Sequence, residues 1–158
     1  MQAAAGPGAD TPPAGPFTGV VVVEFGQNIA GPYCGQLLAD GGATVIKVES
    51  FGGDPTRRAG AYLPGEGRQF LNKNRGKRSI VVDFQHPRAP ALFQRLVARA
   101  DVVISNLRPG LLEALGLGYE AVAAVKPAVI YAEVTGFGRQ GPMAGQVATM
   151  SCSNHSRG

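Results

Sequence analysis

The sequence has no tryptophan, and aromatic residues make up only 7% of it, which argues against a protein that reads single-stranded nucleic acid by stacking bases on rings. Charge is scarce as well: Asp, Glu, Lys and Arg together reach 16%, with a net charge of +4. That excess suits an anionic small ligand and falls short of the basic footprint of a nucleic-acid protein. No run of about 18 apolar residues occurs, so no membrane span is expected. Only two cysteines are present, Cys34 and Cys152. They form neither a disulfide framework nor a metal-ligand spacing, and a reducing compartment, the cytoplasm, is expected. Residues 1–16 have neither the basic n-region nor the apolar h-region of a signal peptide and read as a disordered lead. His86, beside a proline, and His155, near the end, read as surface residues. No Asp or Glu follows Glu133.

What is there is an alternation of strands and helices, in a length of 158 residues that suits one domain. Residues 19–25, "GVVVVEF", form a continuous apolar run that predicts a strand buried on both faces. A helix follows, with Pro32 at its first position, Cys34, Leu37 and Leu38 on its apolar face, and Gly41 and Gly42 ending it. Residues 43–49 predict a second strand, and residues 50–69 a loop rich in Gly and Pro. Further strands are expected at 79–84, 101–106 and 128–134. Between them lie a helix carrying Leu92, Phe93, Leu96, Val97 and Ala100 on one side and a second near 119–125. The order implies an α/β fold, a Rossmann-like, doubly wound, mostly parallel sheet.

In such sheets ligands bind beyond the carboxyl ends of the strands. The turn "GQNIAG" after the first strand is therefore a candidate, although it matches neither nucleotide fingerprint: Asn28 replaces the second glycine of one, and Pro32 stands where the other needs lysine. A tight strand-to-helix turn and a ligand contact both remain open there. Glu49 ends the second strand, either as a ribose-binding acid or as a solvated strand end. In "FLNKNRGKRSIVVDF", Lys73, Arg75, Lys77 and Arg78, with Arg68 just upstream, surround Gly76, and no acidic residue lies between Arg68 and Val82. They are either a solvated face or a phosphate cradle. "SNLRPG" places Asn106 and Arg108 after a strand, and the glycines of "TGFGRQGP" could turn backbone N–H groups toward an oxyanion. These loops are expected to share one rim of the sheet. No clear nucleophile or base emerges. A nucleotide-dependent dehydrogenase is the weaker enzyme reading, because of the missing glycine.

Taken together and in order, "GVVVVEFGQNIAGPYCGQLLADGGATVIKVES", "GGDPTR", "NRGKRSIVVDF", "DVVISNLRPGLLEALGLGYE" and "VIYAEVTGFGRQGP" resemble the family III CoA-transferases. This is the CaiB/BaiF family, which includes formyl-CoA transferase, carnitine CoA-transferases and alpha-methylacyl-CoA racemase. The resemblance covers residues 17–149, which it makes the N-terminal part of the family's large domain, with 150–158 as a tail foreign to the family. It implies coenzyme A as co-substrate, no metal, and transfer of CoA from an acyl-CoA to a small carboxylic acid. Asn74, Arg75, Gly76, Lys77 and Arg78 match the segment that contacts the adenine and phosphates. Asn106, Leu107 and Arg108 match the segment along the CoA moiety, and Ile29 and Ala30 match positions near the thiol. Where the family has a basic side chain after the second strand this chain has Ser50, for which Arg57 or Arg58 could substitute. The family's chemistry runs through an aspartate that attacks the acyl carbonyl, giving a mixed anhydride and then an aspartyl-CoA thioester; its racemase branch moves an α-proton with His and Asp. That aspartate is expected near Met150, where no carboxylate is available, so no catalytic residue is assigned and the chain alone is expected to be inactive. The family resemblance further implies an interlocked homodimer in the complete enzyme, and here a truncated or frameshifted gene product or a fragment. The alternatives are the racemase branch and a CoA-binding fragment without catalysis.

Overall fold

The structure is a computed structural model that describes residues 15–63 and 66–146. Five strands form one sheet in the order β5-β2-β1-β6-β7: β1 (Val21–Phe25), β2 (Thr44–Glu49), β5 (Arg78–Val81), β6 (Val102–Ser105) and β7 (Ile130–Glu133). Every adjacent pair is parallel, with Val22 opposite Val45 on one side and Val102 on the other. The expected α/β, doubly wound architecture is thus present.

The residues dictate this layout plainly at the centre. In β1, Val22, Val23 and Phe25 are almost fully buried, as a strand covered on both faces requires. Val22 packs with Val45 and Ile104 beneath helix α1 (Ala30–Asp40). Val23 and Phe25 face the other side, against Phe93 and Val97 of α3 (Ala89–Val97) and Val122 of α5 (Tyr119–Val125). The short helix α4 (Leu111–Ala114) adds Leu112 to that second layer. Phe93 meets Phe25 and Phe84 edge-on, with centroids 5.7 and 5.3 Å apart.

Three expectations need correction. Pro32 is the third residue of α1, not the first; it still lies in the opening turn, where a missing N–H costs no intrahelical bond. On α1, Cys34 and Leu38 pack on the core as expected, but Leu37 is half exposed, and the fully buried positions are Gly31, Pro32, Gly35 and Gln36. The stretch 50–69 is more than a loop. It holds a 3-10 turn (Pro55–Arg57), a hairpin of β3 (Ala61–Leu63) and β4 (Glu66–Gly67), and the start of α2 (Arg68–Asn74), which takes in half of the supposed basic turn. Among the described residues no helix is long and apolar enough to cross a membrane.

Candidate functional site at the carboxyl edge

Winding runs outward from β1 in both directions, so the sheet has its switch point between β1 and β6. The turns after these two strands meet there. The side chain of Asn106 lies across the gap: its Oδ1 accepts from the Gln27 N–H at 2.8 Å and its Nδ2 donates to the Gln27 carbonyl at 2.8 Å. Asn106 thereby acts as one more rung of sheet pairing. Gly31 is required beneath it, since a Cβ there would come within 2.8 Å of Asn106 Oδ1. Asn28 has φ 62°, the left-handed conformation the missing glycine would have supplied. Its N–H donates to Asp54 Oδ1 at 3.3 Å.

The arrangement leaves Ile29 and Ala30 exposed at the head of α1. α1 has no side-chain cap and no acidic residue in its first turn, which gives that end a positive potential. A cleft of about 230 Å³ opens beside it, bounded by Ala30, Asn106, Leu107, Arg108, Val134 and Thr135. Arg108 is exposed at its rim, and Leu107 packs half-buried on the core. The glycine-rich turn after β7 is tethered by Arg139, which ion-pairs with Glu133 and Glu113. These two carboxylates hold the Arg139 pKa above its ordinary value.

The basic segment is placed differently from the expectation. It precedes β5, and β5 runs parallel to its neighbours, so the segment enters from the amino side and lies along the flank of α1 rather than on the carboxyl rim. Nor does it lack acidic neighbours, because the fold supplies them from other elements. Arg75 makes a two-pronged pair with Asp40, at 3.1 and 2.7 Å, at the end of α1. Lys77 donates to Glu24 Oε2 at 2.7 Å, to the Pro32 carbonyl at 2.6 Å and to Asn74 Oδ1 at 2.9 Å. Its side chain is only 2% exposed, so its three N–H bonds are committed inside the protein. Burial pushes the Lys77 pKa down, and the Glu24 carboxylate opposes that shift. Asn74 is buried and also donates to the Phe70 carbonyl. Gly76 has φ 75°, where a side chain would be strained. Arg78 is exposed, and neither it nor Arg108 makes an ion pair with a described residue.

Glu49 is neither a ribose ligand nor solvated. It is 4% exposed and accepts from Arg57 twice, from Ser79 and from the Asp54 N–H. Burial works against its ionisation, but those donors outweigh it and hold the carboxyl at about 2. Arg57 is thus tied to Glu49, with its guanidinium 3.6 Å from the centre of the Phe70 ring, while Arg58 is exposed and donates to the Gly52 carbonyl. His86 is exposed, as expected. Met150, Cys152 and His155 lie outside the described residues.

Sequence reasoning missed Glu24, Lys47 and Asp54, all 1% exposed or less. Lys47 donates to Glu24 Oε1 at 3.0 Å and to the Gly26 carbonyl at 2.7 Å. Its second acidic neighbour, Asp54 Oδ2 at 3.1 Å, is an ion pair without hydrogen-bond geometry. The signal was present: one acid and one base interrupt two strands otherwise read as apolar, and they are direct register partners.

The sequence profile of CoA-transferase family III matches residues 17–153. A probable fatty acyl-CoA transferase of Mycobacterium tuberculosis is 45% identical over 133 residues, covering 82% of this chain and 34% of that protein. The succinyl-CoA–D-citramalate CoA-transferase of Chloroflexus aurantiacus is 47% identical over 132 residues, covering 82% and 33%. A crystal structure of a CaiB/BaiF family protein from Brucella suis superposes with a TM-score of 0.81 at 46% identity, over 85% of this chain and 37% of that one. The chain therefore spans about a third of the length of the curated relatives it matches.

Proposed function

The chain belongs to CoA-transferase family III, and from that premise we propose that residues 17–149 form the N-terminal part of the large domain of an enzyme that moves CoA from an acyl-CoA to a carboxylic acid. The observation that supports this reading is the switch-point geometry: an uncapped helix start, exposed Ile29 and Ala30, and Arg108 at the rim of one cleft. In the proposal the thioester end of CoA rests against Ile29 and Ala30, and the chain of the carrier passes Leu107 and Arg108. Asn106 holds the two turns in register. The phosphates and adenine belong to the side of α1 where Asn74, Arg75, Gly76 and Arg78 lie, with Arg75 released from its exposed pair with Asp40. Lys77 is kept out of direct contact, because freeing it would strip the buried Glu24 carboxylate of one of its two ammonium partners. Small carboxylic acids are the acceptors, an interlocked homodimer is the working assembly of the complete enzyme, and the cytoplasm is its compartment.

The attacking carboxylate is not found near residue 150 of this sequence, so the chain by itself binds CoA and does not transfer it. Calorimetric titration with CoA tests the binding. Wild-type chain should bind, and Arg78→Ala with Arg108→Ala should weaken binding by about 1.5–3 kcal/mol for each charge-assisted hydrogen bond removed. No heat of binding from the folded wild type would defeat the reading. Acyl transfer from succinyl-CoA by the isolated chain would defeat its second half.

A further inference from the structure

Two buried ammonium groups flank one buried carboxylate beneath α1. Lys47 reaches Glu24 Oε1 and Lys77 reaches Glu24 Oε2. Each lysine also donates to a main-chain carbonyl of the first crossover turn, Lys47 to Gly26 and Lys77 to Pro32. Those two carbonyls bracket residues 27–31. Inside the bracket, Asn106 takes both backbone groups of Gln27 and Asp54 takes the N–H of Asn28. Of the three residues left outside these bonds to the β2 and β6 sides, Gly31 is buried and Ile29 and Ala30 are exposed. α1 is shaped to permit this, because a Cβ at Gly35 would stand 2.1 Å from Glu24 Oε2 and 3.3 Å from Lys77 Nζ. Buried ions of this kind are a poor route to stability, since well-packed apolar side chains of equal volume do as well or better. Their directionality is what an apolar core cannot supply.

We propose that Lys47 and Lys77, bridged by Glu24, are positioning residues: they clamp the two ends of residues 26–32 and so fix Ile29 and Ala30 at the carboxyl edge. The clamp rests on geometry alone, and its consequence for ligand binding rests on the CoA reading above. Lys77 then serves the ligand through the turn and touches no phosphate.

Hydrogen exchange by NMR on the whole chain tests the clamp. In Lys77→Met the hydrogen-bonded amides of Gln27, Asn28 and Tyr33 should exchange roughly tenfold faster, while those of β6 and α3 keep their rates. Unchanged rates, or one uniform acceleration throughout the molecule, would overturn the proposal. If Lys77→Met does not fold, Glu24→Gln, which keeps the volume and one acceptor oxygen, should show the same local pattern to a smaller degree. The same variants are titrated with CoA and with pantetheine, which carries no phosphate. A positioning role weakens both ligands by the same factor; loss of CoA affinity alone would make Lys77 a phosphate ligand and overturn its assignment. If wild-type chain binds neither ligand, the CoA reading fails and the exchange pattern still decides the clamp.

Discussion

At the scale of the residue, Glu49 shows how a strand-end acid becomes structural. Its carboxyl sits at about 2 when folded, against 4.5 for an ordinary glutamate, so the folded state holds the anion more tightly than the unfolded chain does. A depressed carboxyl contributes stability that is complete above the unfolded value and disappears as pH falls toward the folded one. Between pH 4.5 and about 2, urea melts of the wild type should therefore lose stability progressively. Glu49→Gln should be less stable at pH 7 and should show a shallower decline across that window. An unaltered slope in the variant would show that other carboxyls govern the acid limb. Asn28 makes a second residue-scale case. Its φ of 62° is open to glycine and asparagine and costly for a β-branched residue. Asn28→Gly should stay within a few tenths of a kcal/mol of wild type, while Asn28→Val should lose about 1–2 kcal/mol in the same melts.

At the scale of the element, the strands were legible because continuous valines or alternation with glycine-rich turns leave few other structures. The helix α3 announced itself by apolar spacing, and α5 by Pro127, which ends it. α1 was placed in sequence, and Cys34 and Leu38 do pack on the core, but Leu37 does not and the closest-packed positions went unread, since an apolar period assumes that a helix buries its large side chains. α1 instead buries Gly31 and Gly35 so that it can lie directly on Asn106 and on the carboxylate of Glu24. α2 went unread because its only fully covered positions are Phe70 and Asn74, too few to make a stripe. The candidate site was half legible for a related reason. Turns that follow strands declare which edge they occupy, whereas the partners of a basic segment, here Asp40 and Glu24, come from elements 35 to 53 residues away. The glycine packing predicts an asymmetry. Gly35→Ala should cost about 1–3 kcal/mol by overpacking against Glu24, while Gly52→Ala, whose Cβ would meet nothing nearer than 3.7 Å, should be close to neutral. Paired urea denaturation curves check this, and equal midpoints for the two variants would refute the close-approach account of α1.

At the scale of the whole molecule, burial falls from the middle of the sheet to its margins. Val22 and Val23 of β1 are fully covered, whereas Val81 of β5 is 57% exposed and Ile130 of β7 is 64% exposed. β5 and β7 are the two edges, and each pairs on one side only among the described strands. An edge that combines unpaired backbone groups with β-branched apolar side chains invites pairing between chains. Charge on such an edge opposes association without touching the core, because surface substitutions away from packed groups usually change stability by about 0.5 kcal/mol or less. Ile130→Lys should therefore leave the melting midpoint of the isolated chain almost unchanged and lower its apparent mass in concentration-dependent light scattering. The substitution lies at the amino end of β7, opposite Val102, while the cleft opens past the carboxyl ends of β1 and β6. CoA affinity should accordingly be the same in the variant as in wild type. A fall in affinity with no change in association would mean that the β7 margin communicates with the switch point, and would contradict a site confined to the carboxyl edge and the flank of α1.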